Sequence, residues 1–212
     1  MKIEEAYSKL YPLIGSVIDT SAENKNNKGK LGHAIEKLIK LKLGSHHLDF
    51  EDGELKTVPI SKGKVKEDFK ICKKWDKGYI ESKLEQMLVV TYDDSLSLIL
   101  DVKIYRLLDH PIIKSWFNKE IDWLLEQPDI NLVSQTETEV FIAKTNDTGN
   151  KAVNSRALYI SGAVATYLFG LEYTSRMRKG KIFVKEMKAY EQTESRSSFK
   201  FDGLLSYTAM VL

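Results

Sequence analysis

The sequence predicts a single domain of the α/β or α+β class, with a mixed β-sheet flanked by helices. Segments with the two-residue period of strands and segments with the 3.6-residue period of helices both occur. They do not follow the regular alternation that is typical of a purely parallel sheet. The chain has 212 residues, of which 42% are hydrophobic and 29% are charged, so one substantial packed core is expected.

Helical spacing marks the first part of the chain. Residues 2–18 predict a helix that is interrupted near Pro12. Residues 29–44 predict a second helix, with Gly44 as its stop. One face of that helix is expected to be buried and carries Leu31, Ile35, Leu38 and Ile39.

Strand patterns appear in the middle of the chain. Residues 54–60 predict a strand, and residues 76–88 predict a short helix that leads into a strand at 88–92. Residues 95–105 alternate as a strand does. The apolar face of this last strand is predicted to carry Leu96, Leu98, Leu100, Val102 and Ile104.

The remaining elements are a long helix, two short strands and a buried helix. Residues 111–127 form a strongly amphipathic helical pattern with Pro111 at its start. Residues 138–144 and 156–160 predict short strands, and residues 162–171 predict a buried helix.

Cysteine usage and apolar run lengths indicate the compartment. The chain has one cysteine, Cys72, so an internal disulfide is excluded and a reducing compartment is expected. The first residues lack the apolar run of a secretory signal. The longest uncharged apolar stretch, residues 157–171, is too short to span a bilayer. We therefore expect a cytoplasmic protein without a membrane partner.

The positive charges are clustered although the net charge is only +2. Lysine and arginine residues crowd three regions, 25–42, 62–77 and 176–188. Such clusters are typical of a surface that binds phosphates, and also of an ordinary solvated surface. Charge alone leaves both interpretations open.

Residues 49–60, DFEDGELKTVPI, combine carboxylates with a lysine at the start of a predicted strand. Because strand residues i and i+2 point to one face, Glu54 and Lys56 are expected side by side. A turn at Asp52 and Gly53 can return Asp49 towards Glu54. Mg²⁺ is typically held by one or two carboxylates and the substrate phosphate, and a nearby lysine stabilises the charge that develops during phosphodiester hydrolysis.

The same pattern is also compatible with a charged turn at a hairpin edge. An acidic pair near a lysine arises often by chance, so the spacing alone leaves the turn and the metal site as alternatives. Glu51 and Asp52 are interpreted as turn residues, and Cys72 as a buried side chain.

Four blocks of sequence, taken in chain order, resemble the MutH-like GATC endonucleases, a family that contains the mismatch-repair nicking enzyme and Sau-type restriction enzymes. They span roughly residues 27–170. The blocks contain Lys28, Gly29, Gly32 and Glu36; Asp49 and Phe50 followed by Glu54, Leu55, Lys56, Thr57 and Pro59; Lys83 in SKLEQMLVV; and Arg156 in SRALYISGAVATYLFG.

The resemblance implies a restriction-endonuclease-like fold and Mg²⁺-dependent cleavage of double-stranded DNA. It makes Asp49 and Glu54 the metal ligands and Lys56 the catalytic lysine. It also implies a catalytic region at about 20–110 and a DNA-recognition region at about 140–212.

The resemblance assigns further roles outside this motif. Glu36 would be an accessory catalytic carboxylate, and Lys83 would be a second catalytic lysine that faces phosphate. Lys28 and Lys30 are expected to contact DNA. Arg156 would lie near the bases, where a guanidinium can grip a guanine edge with two hydrogen bonds.

The favoured function is a Mg²⁺-dependent, site-specific endonuclease for double-stranded DNA, namely a type II restriction enzyme for GATC or a related site. It would act as a monomer or a homodimer on DNA. One alternative is a strand-nicking endonuclease of methyl-directed mismatch repair. An alternative of another class is a catalytically silent DNA-binding module.

Overall fold

The structure is a computed structural model that describes residues 1–23, 29–41, 47–145, 156–174, 177 and 179–196. Lys28 and the predicted helix stop at Gly44 lie outside these residues. The helices are α1 (Ile3–Leu10), α2 (Lys30–Leu38), α3 (Lys77–Glu85), α4 (Pro111–Leu125), α5 (Gly162–Leu168) and α6 (Lys181–Arg196). The strands are β1 (Glu54–Ser61), β2 (Lys64–Val65), β3 (Phe69–Cys72), β4 (Met87–Asp93), β5 (Leu98–Tyr105), β6 (Phe141–Thr145) and β7 (Arg156–Ile160).

Two sheets organise the fold. A four-stranded mixed sheet has the order β2-β1-β4-β5, in which β1 and β4 are parallel and the other pairs are antiparallel. A three-stranded antiparallel sheet has the order β3-β7-β6. The predicted class, one domain with a mixed sheet and helices, is confirmed. The restriction-endonuclease-like arrangement stays a prediction.

The two faces of the four-stranded sheet bury different apolar clusters. Alternate residues of β1 separate the faces, so that Leu55 packs with α1 and α2 whereas Val58 and Ile60 pack on the opposite side. That opposite cluster contains residues of α3, α4 and α5 and the three-stranded sheet. Because β3 pairs with β7, the two regions predicted at 20–110 and 140–212 share one sheet.

The strand β1 has an open edge over most of its length. Its neighbour β2 pairs only with Ile60 and Ser61. Within the described part of the chain, residues 54–58 are paired with a strand on the β4 side alone, since the carbonyl of Pro59 already accepts a hydrogen bond from the N–H of Lys66 at 2.9 Å. No described strand covers this edge of β1, and the cleft-lining residues of the strand are Leu55 to Pro59.

The helix α2 ends earlier than predicted. It stops at Leu38, and Lys40 adopts the left-handed conformation with φ of 58°. The N–H of Leu41 donates to the carbonyl of Glu36 at 2.8 Å, and the N–H of Lys40 donates to the carbonyl of Lys37 at 3.0 Å. This is a Schellman ending, which glycine usually provides. The predicted burial of Leu38 is wrong, because it lies in the last helical position and is 46% exposed.

The predicted alternation of β5 is wrong at its first half. A register shift against β4 separates the pairs Thr91–Asp101 and Tyr92–Ile99. The extra residue is Leu100, and such a bulge moves the following side chains to the other face. Ile99 is consequently buried, while Leu96 and Leu100 are exposed.

The helix predicted at 2–18 is present only as α1 and a short 3-10 helix at Tyr11–Leu13, and residues 14–18 are not helical. The other element predictions are confirmed, and three elements were missed. The helices near 76–88, 111–127 and 162–171 and the strands at 54–60, 138–144 and 156–160 are all present. The strands β2 and β3 and the helix α6 were not predicted. In the described part of the chain, no helix is both long and apolar enough to cross a membrane.

Candidate active site

The turn before β1 is fixed by the start of the chain. Within the turn, the N–H of Phe50 donates to the carbonyl of Gly53 at 2.9 Å. The carboxylate of Asp52 accepts a hydrogen bond from the N–H of Ile3 at 2.9 Å, and Glu51 accepts one from the amino group of Met1 at 2.7 Å. The prediction that Glu51 and Asp52 are turn residues is confirmed, and they hold α1 against the turn.

Only glycine fits at position 53. A Cβ atom there would stand 2.7 Å from the carbonyl oxygen of Gln86 and 2.8 Å from the side chain of Ile3. The next residue, Glu54, donates its N–H to the same carbonyl of Gln86 at 3.0 Å. This close approach sets the point at which the chain enters β1, and therefore the position of Glu54.

Asp49 lies next to the first residues of β1. Its Oδ2 atom accepts a hydrogen bond from the N–H of Leu55 at 3.0 Å. The predicted return of Asp49 towards Glu54 is thus observed. Asp49 is exposed, but the protein surrounds it closely enough that desolvation raises the pKa of its carboxyl group. The charge of Glu54 raises this pKa further, which means that the two carboxylates repel each other.

Glu54 is buried between two lysines. Its Oε1 accepts a hydrogen bond from Lys56 Nζ at 2.8 Å, and its Oε2 accepts one from Lys83 Nζ at 2.6 Å. The exposed fractions of the side chains are 7% for Glu54, 7% for Lys83 and 19% for Lys56. Lys56 comes from the same face of β1, and Lys83 comes from the last turn of α3.

The two lysines keep the buried carboxyl group ionised. Desolvation alone would raise the pKa of Glu54, but the charges and hydrogen bonds of Lys56 and Lys83 lower it by more, and the pKa falls below its ordinary value. Glu36 behaves differently. Desolvation raises its pKa, and the charge of Asp49 adds to the rise although His33 and Lys56 oppose it.

A cleft of about 520 Å³ opens beside these residues. One wall is α2, where the absence of a side chain at Gly32 lets the helix approach Thr57, since a Cβ atom would stand 3.2 Å from Thr57 Oγ1. The floor is the open edge of β1. The opposite wall is the three-stranded sheet, which contributes Phe69 to Ile71 of β3 and Tyr159 of β7.

The cleft brings some of the predicted residues together and not others. Glu36 and Lys56 line it, and Glu54 lies buried beneath Lys56. Asp49 lines a different depression, shared with Met1, Lys40 and Phe50. The predicted catalytic residues therefore do not line a single pocket: Glu36 and Lys56 face one depression, Asp49 faces another, and Glu54 lies buried beside Lys56.

The predicted DNA contacts lie at separate places. Lys30 is exposed in the first turn of α2, beside the cleft-lining Gly29. Arg156 is half-buried, and its Nη1 donates to the carbonyls of Val133 and Ala143, the second at 3.1 Å. This guanidinium thus ties β7 to the adjoining loop and to β6. A base contact by Arg156 stays a prediction.

The donor set fits Mg²⁺. Among the described residues, no group of three or more His, Cys, Asp or Glu side chains is placed to hold a metal ion on its own. Mg²⁺ needs only one or two carboxylates when a phosphate and waters complete the shell. Asp49 and Glu54 supply hard oxygen donors whose mutual repulsion a cation relieves. Each Glu54 oxygen already accepts one lysine hydrogen bond and retains a further lone pair.

The sequence analysis placed no residue of the opposite wall at the site, although it counted Lys70 in the lysine cluster at 62–77. Lys144 in β6 forms an ion pair with Asp68 at 3.0 Å and lies over the ring of Tyr159 at 5.8 Å from its centre. Lys70 in β3 also lines the cleft. The strand containing Lys144 was predicted, but the pairing that brings it to β1 depends on contacts between distant segments.

None of the protein-family models matches the chain. A search of curated proteins likewise finds no significant match.

Proposed function

We propose that the chain is a Mg²⁺-dependent endonuclease that cuts double-stranded DNA at a specific site, GATC or a related sequence. The observation that carries the proposal is Glu54, buried and bonded by Lys56 and Lys83, with Asp49 beside it. The resemblance of these residues to the MutH-like motif supports the same chemistry.

The buried ion network of Glu54, Lys56 and Lys83 is expected to contribute little to folding stability, which favours a functional role for it. A buried carboxylate with two lysines gains little net stability over apolar packing, because desolvation offsets the attraction. Lys56 remains partly accessible at the cleft, where an anionic phosphate can reach it. Perturbed ionisable groups beside a cleft are typical of catalytic sites, although structural ion pairs also perturb pKa values.

Each residue has a defined task in this proposal. Asp49 and Glu54 would hold Mg²⁺, which supplies positive charge to the phosphate and makes water more acidic. Lys83 keeps Glu54 ionised. Lys56 points to the cleft and stabilises the charge that develops on the phosphoryl oxygens. Glu36 of α2 provides a third carboxylate, on the cleft side of the site.

The test is a plasmid assay with and without Mg²⁺. The purified chain is incubated with unmethylated, hemimethylated and fully methylated plasmids that contain GATC sites, in parallel with the Lys56→Ala variant. Linear product from unmethylated plasmid that requires both Mg²⁺ and Lys56 is the expected result.

Other products would identify the alternatives. Nicked circles, most abundant on hemimethylated DNA, would indicate the mismatch-repair function instead of restriction. DNA binding without any cutting, at all Mg²⁺ concentrations, would refute the nuclease and indicate a silent binding module.

A further inference from the structure

The strand β3 carries one lysine on the wall of the cleft that faces α2, and a second lysine directly follows the strand. Lys70 lies on this wall and is half-buried. Lys73 follows the strand and is exposed. Neither residue belongs to the motifs that predicted the catalytic site.

A register shift in β3 determines where these lysines lie. Lys70 pairs with Tyr159 and Cys72 pairs with Leu158, the next residue of β7. Ile71, between them, is an extra residue of β3 without a pairing partner in β7. Such a bulge redirects the side chains that follow it. Ile71 and Cys72 are both buried, and the chain resumes an exposed side chain only at Lys73.

The lysines form an electrostatically coupled group with Lys56. Desolvation lowers the pKa of Lys70, and the charges of Lys73 and Lys56 lower it further. The positive charges of Lys70, Lys73 and Lys56 therefore repel each other in the folded chain. A bound polyanion would relieve that repulsion. Of the three lysines, Lys56 is the one at which the scissile phosphate is proposed to bind.

The dimensions suit a nucleic-acid backbone. Successive strand residues advance about 3.3 Å, so Lys70 and Lys73 are separated along the chain by at most about 10 Å. One DNA strand carries a phosphate for about every 3.4 Å of helix axis. Because the backbone winds around that axis, successive phosphates lie farther apart than the axial rise, so two lysines at this spacing can contact neighbouring phosphates of one strand.

We propose that Lys70 and Lys73 form a phosphate-binding track on β3 that holds the double-stranded DNA backbone beside the phosphate at Lys56. This inference rests on the proposed nuclease function for the position of the cut, but its binding test does not require cleavage. These two lysines form the β3 track.

The test measures DNA affinity as a function of salt. A fluorescent duplex containing GATC is titrated with the full chain in EDTA, where metal-dependent cleavage does not occur, at a series of NaCl concentrations. Each phosphate contact contributes about 0.9 to the slope of log K against log salt. The double variant Lys70→Gln/Lys73→Gln should reduce that slope by about 2 and weaken binding at every salt concentration.

Two further variants separate binding from folding and from general charge. Lys114→Gln/Lys119→Gln removes the same charge from exposed positions of α4, which lie outside the cleft, and should leave the slope unchanged. Lys70→Arg/Lys73→Arg keeps both charges and should retain the wild-type slope.

The outcomes distinguish this inference from the nuclease proposal. An unchanged slope in Lys70→Gln/Lys73→Gln, with a wild-type chain that cuts DNA, would overturn the β3 track alone. A reduced slope without any cutting would support the track and refute the nuclease. A wild-type chain that binds duplex RNA but not duplex DNA would overturn the assignment of the partner.

Discussion

Removal of Lys83 tests how strongly the buried network depends on its charge. The variant Lys83→Met replaces a buried ammonium with an apolar side chain of similar length, which keeps most of the packing. Of the two lysines that bond Glu54 among the described residues, Lys56 then remains. The expected result is a large loss of folding stability near neutral pH.

The magnitude follows from burial and distance. Lys83 Nζ lies 2.6 Å from Glu54 Oε2, and both side chains are 7% exposed. At an effective dielectric constant of about 20, two unit charges about 4 Å apart interact by about 4 kcal/mol. Removal of one partner of a buried pair typically costs about 3–5 kcal/mol, since the other charge stays buried. We expect a loss in that range.

A surface pair provides the matched control. Lys103 Nζ lies 2.6 Å from Asp101 Oδ2, the same separation, but these side chains are 42% and 37% exposed. Lys103→Met should therefore cost less than about 1 kcal/mol. The free energy of unfolding of both variants and of the wild-type chain is measured by urea denaturation.

The pH dependence gives a second readout. Because the folded-state pKa of Glu54 is lowered, its stabilisation is present above the unfolded-state pKa and is lost as the pH falls through the folded-state pKa. The deficit of Lys83→Met should thus be smaller at about pH 4 than at about pH 7. A loss no larger than that of Lys103→Met, or one that does not change with pH, would show that Glu54 does not depend on the charge of Lys83.

Three further predictions concern the turn, the metal ligand and a second buried carboxylate. Gly53→Ala places a Cβ 2.7 Å from the Gln86 carbonyl and should cost about 1–3 kcal/mol in urea denaturation, whereas Gly78→Ala, with its nearest contact at 3.8 Å, should be neutral or stabilising. Because the pKa of Asp49 is raised, the Mg²⁺ affinity measured by calorimetry should fall as the pH decreases towards that pKa. An affinity that does not change with pH would contradict the role of Asp49 as a metal ligand. Glu120→Ala removes the acceptor of three backbone N–H groups and should destabilise the chain by about 3 kcal/mol or more; a loss under about 1 kcal/mol would contradict this.

The local parts of the fold were predictable from sequence. The i, i+2 relation placed Glu54 and Lys56 on one face of β1, and both bond as neighbours on that face. Pro111 marked the start of α4. These features depend on a few consecutive residues, so their pattern is visible without tertiary contacts.

The features that were missed depend on contacts between distant segments. The bulge at Leu100 requires the pairing of β5 with β4, and alternation within one strand cannot indicate it. The end of α2 at Lys40 uses a left-handed lysine where glycine is usual. The wall formed by Lys70 and Lys144 arises from strands that pair across the chain.

The contact between Lys83 and Glu54 was predictable only in part. The resemblance to a family indicated that both residues belong to one site, but not that they touch. The hydrogen bond forms because α3 ends just before β4, which pairs in parallel with β1 and brings Lys83 beside the first residue of that strand.

The central claim is that Lys56, held by Glu54 at the edge of the cleft, takes part in Mg²⁺-dependent cleavage of DNA. The most direct measurement is the rate of plasmid cutting by the wild-type chain, Lys56→Met and the surface control Lys103→Met at increasing Mg²⁺. Mg²⁺-dependent cutting is expected for the wild type and for Lys103→Met, and no cutting is expected for Lys56→Met although it still binds DNA. Equal rates for Lys56→Met and the wild type, or no cutting by the wild type at any Mg²⁺ concentration, would contradict the claim.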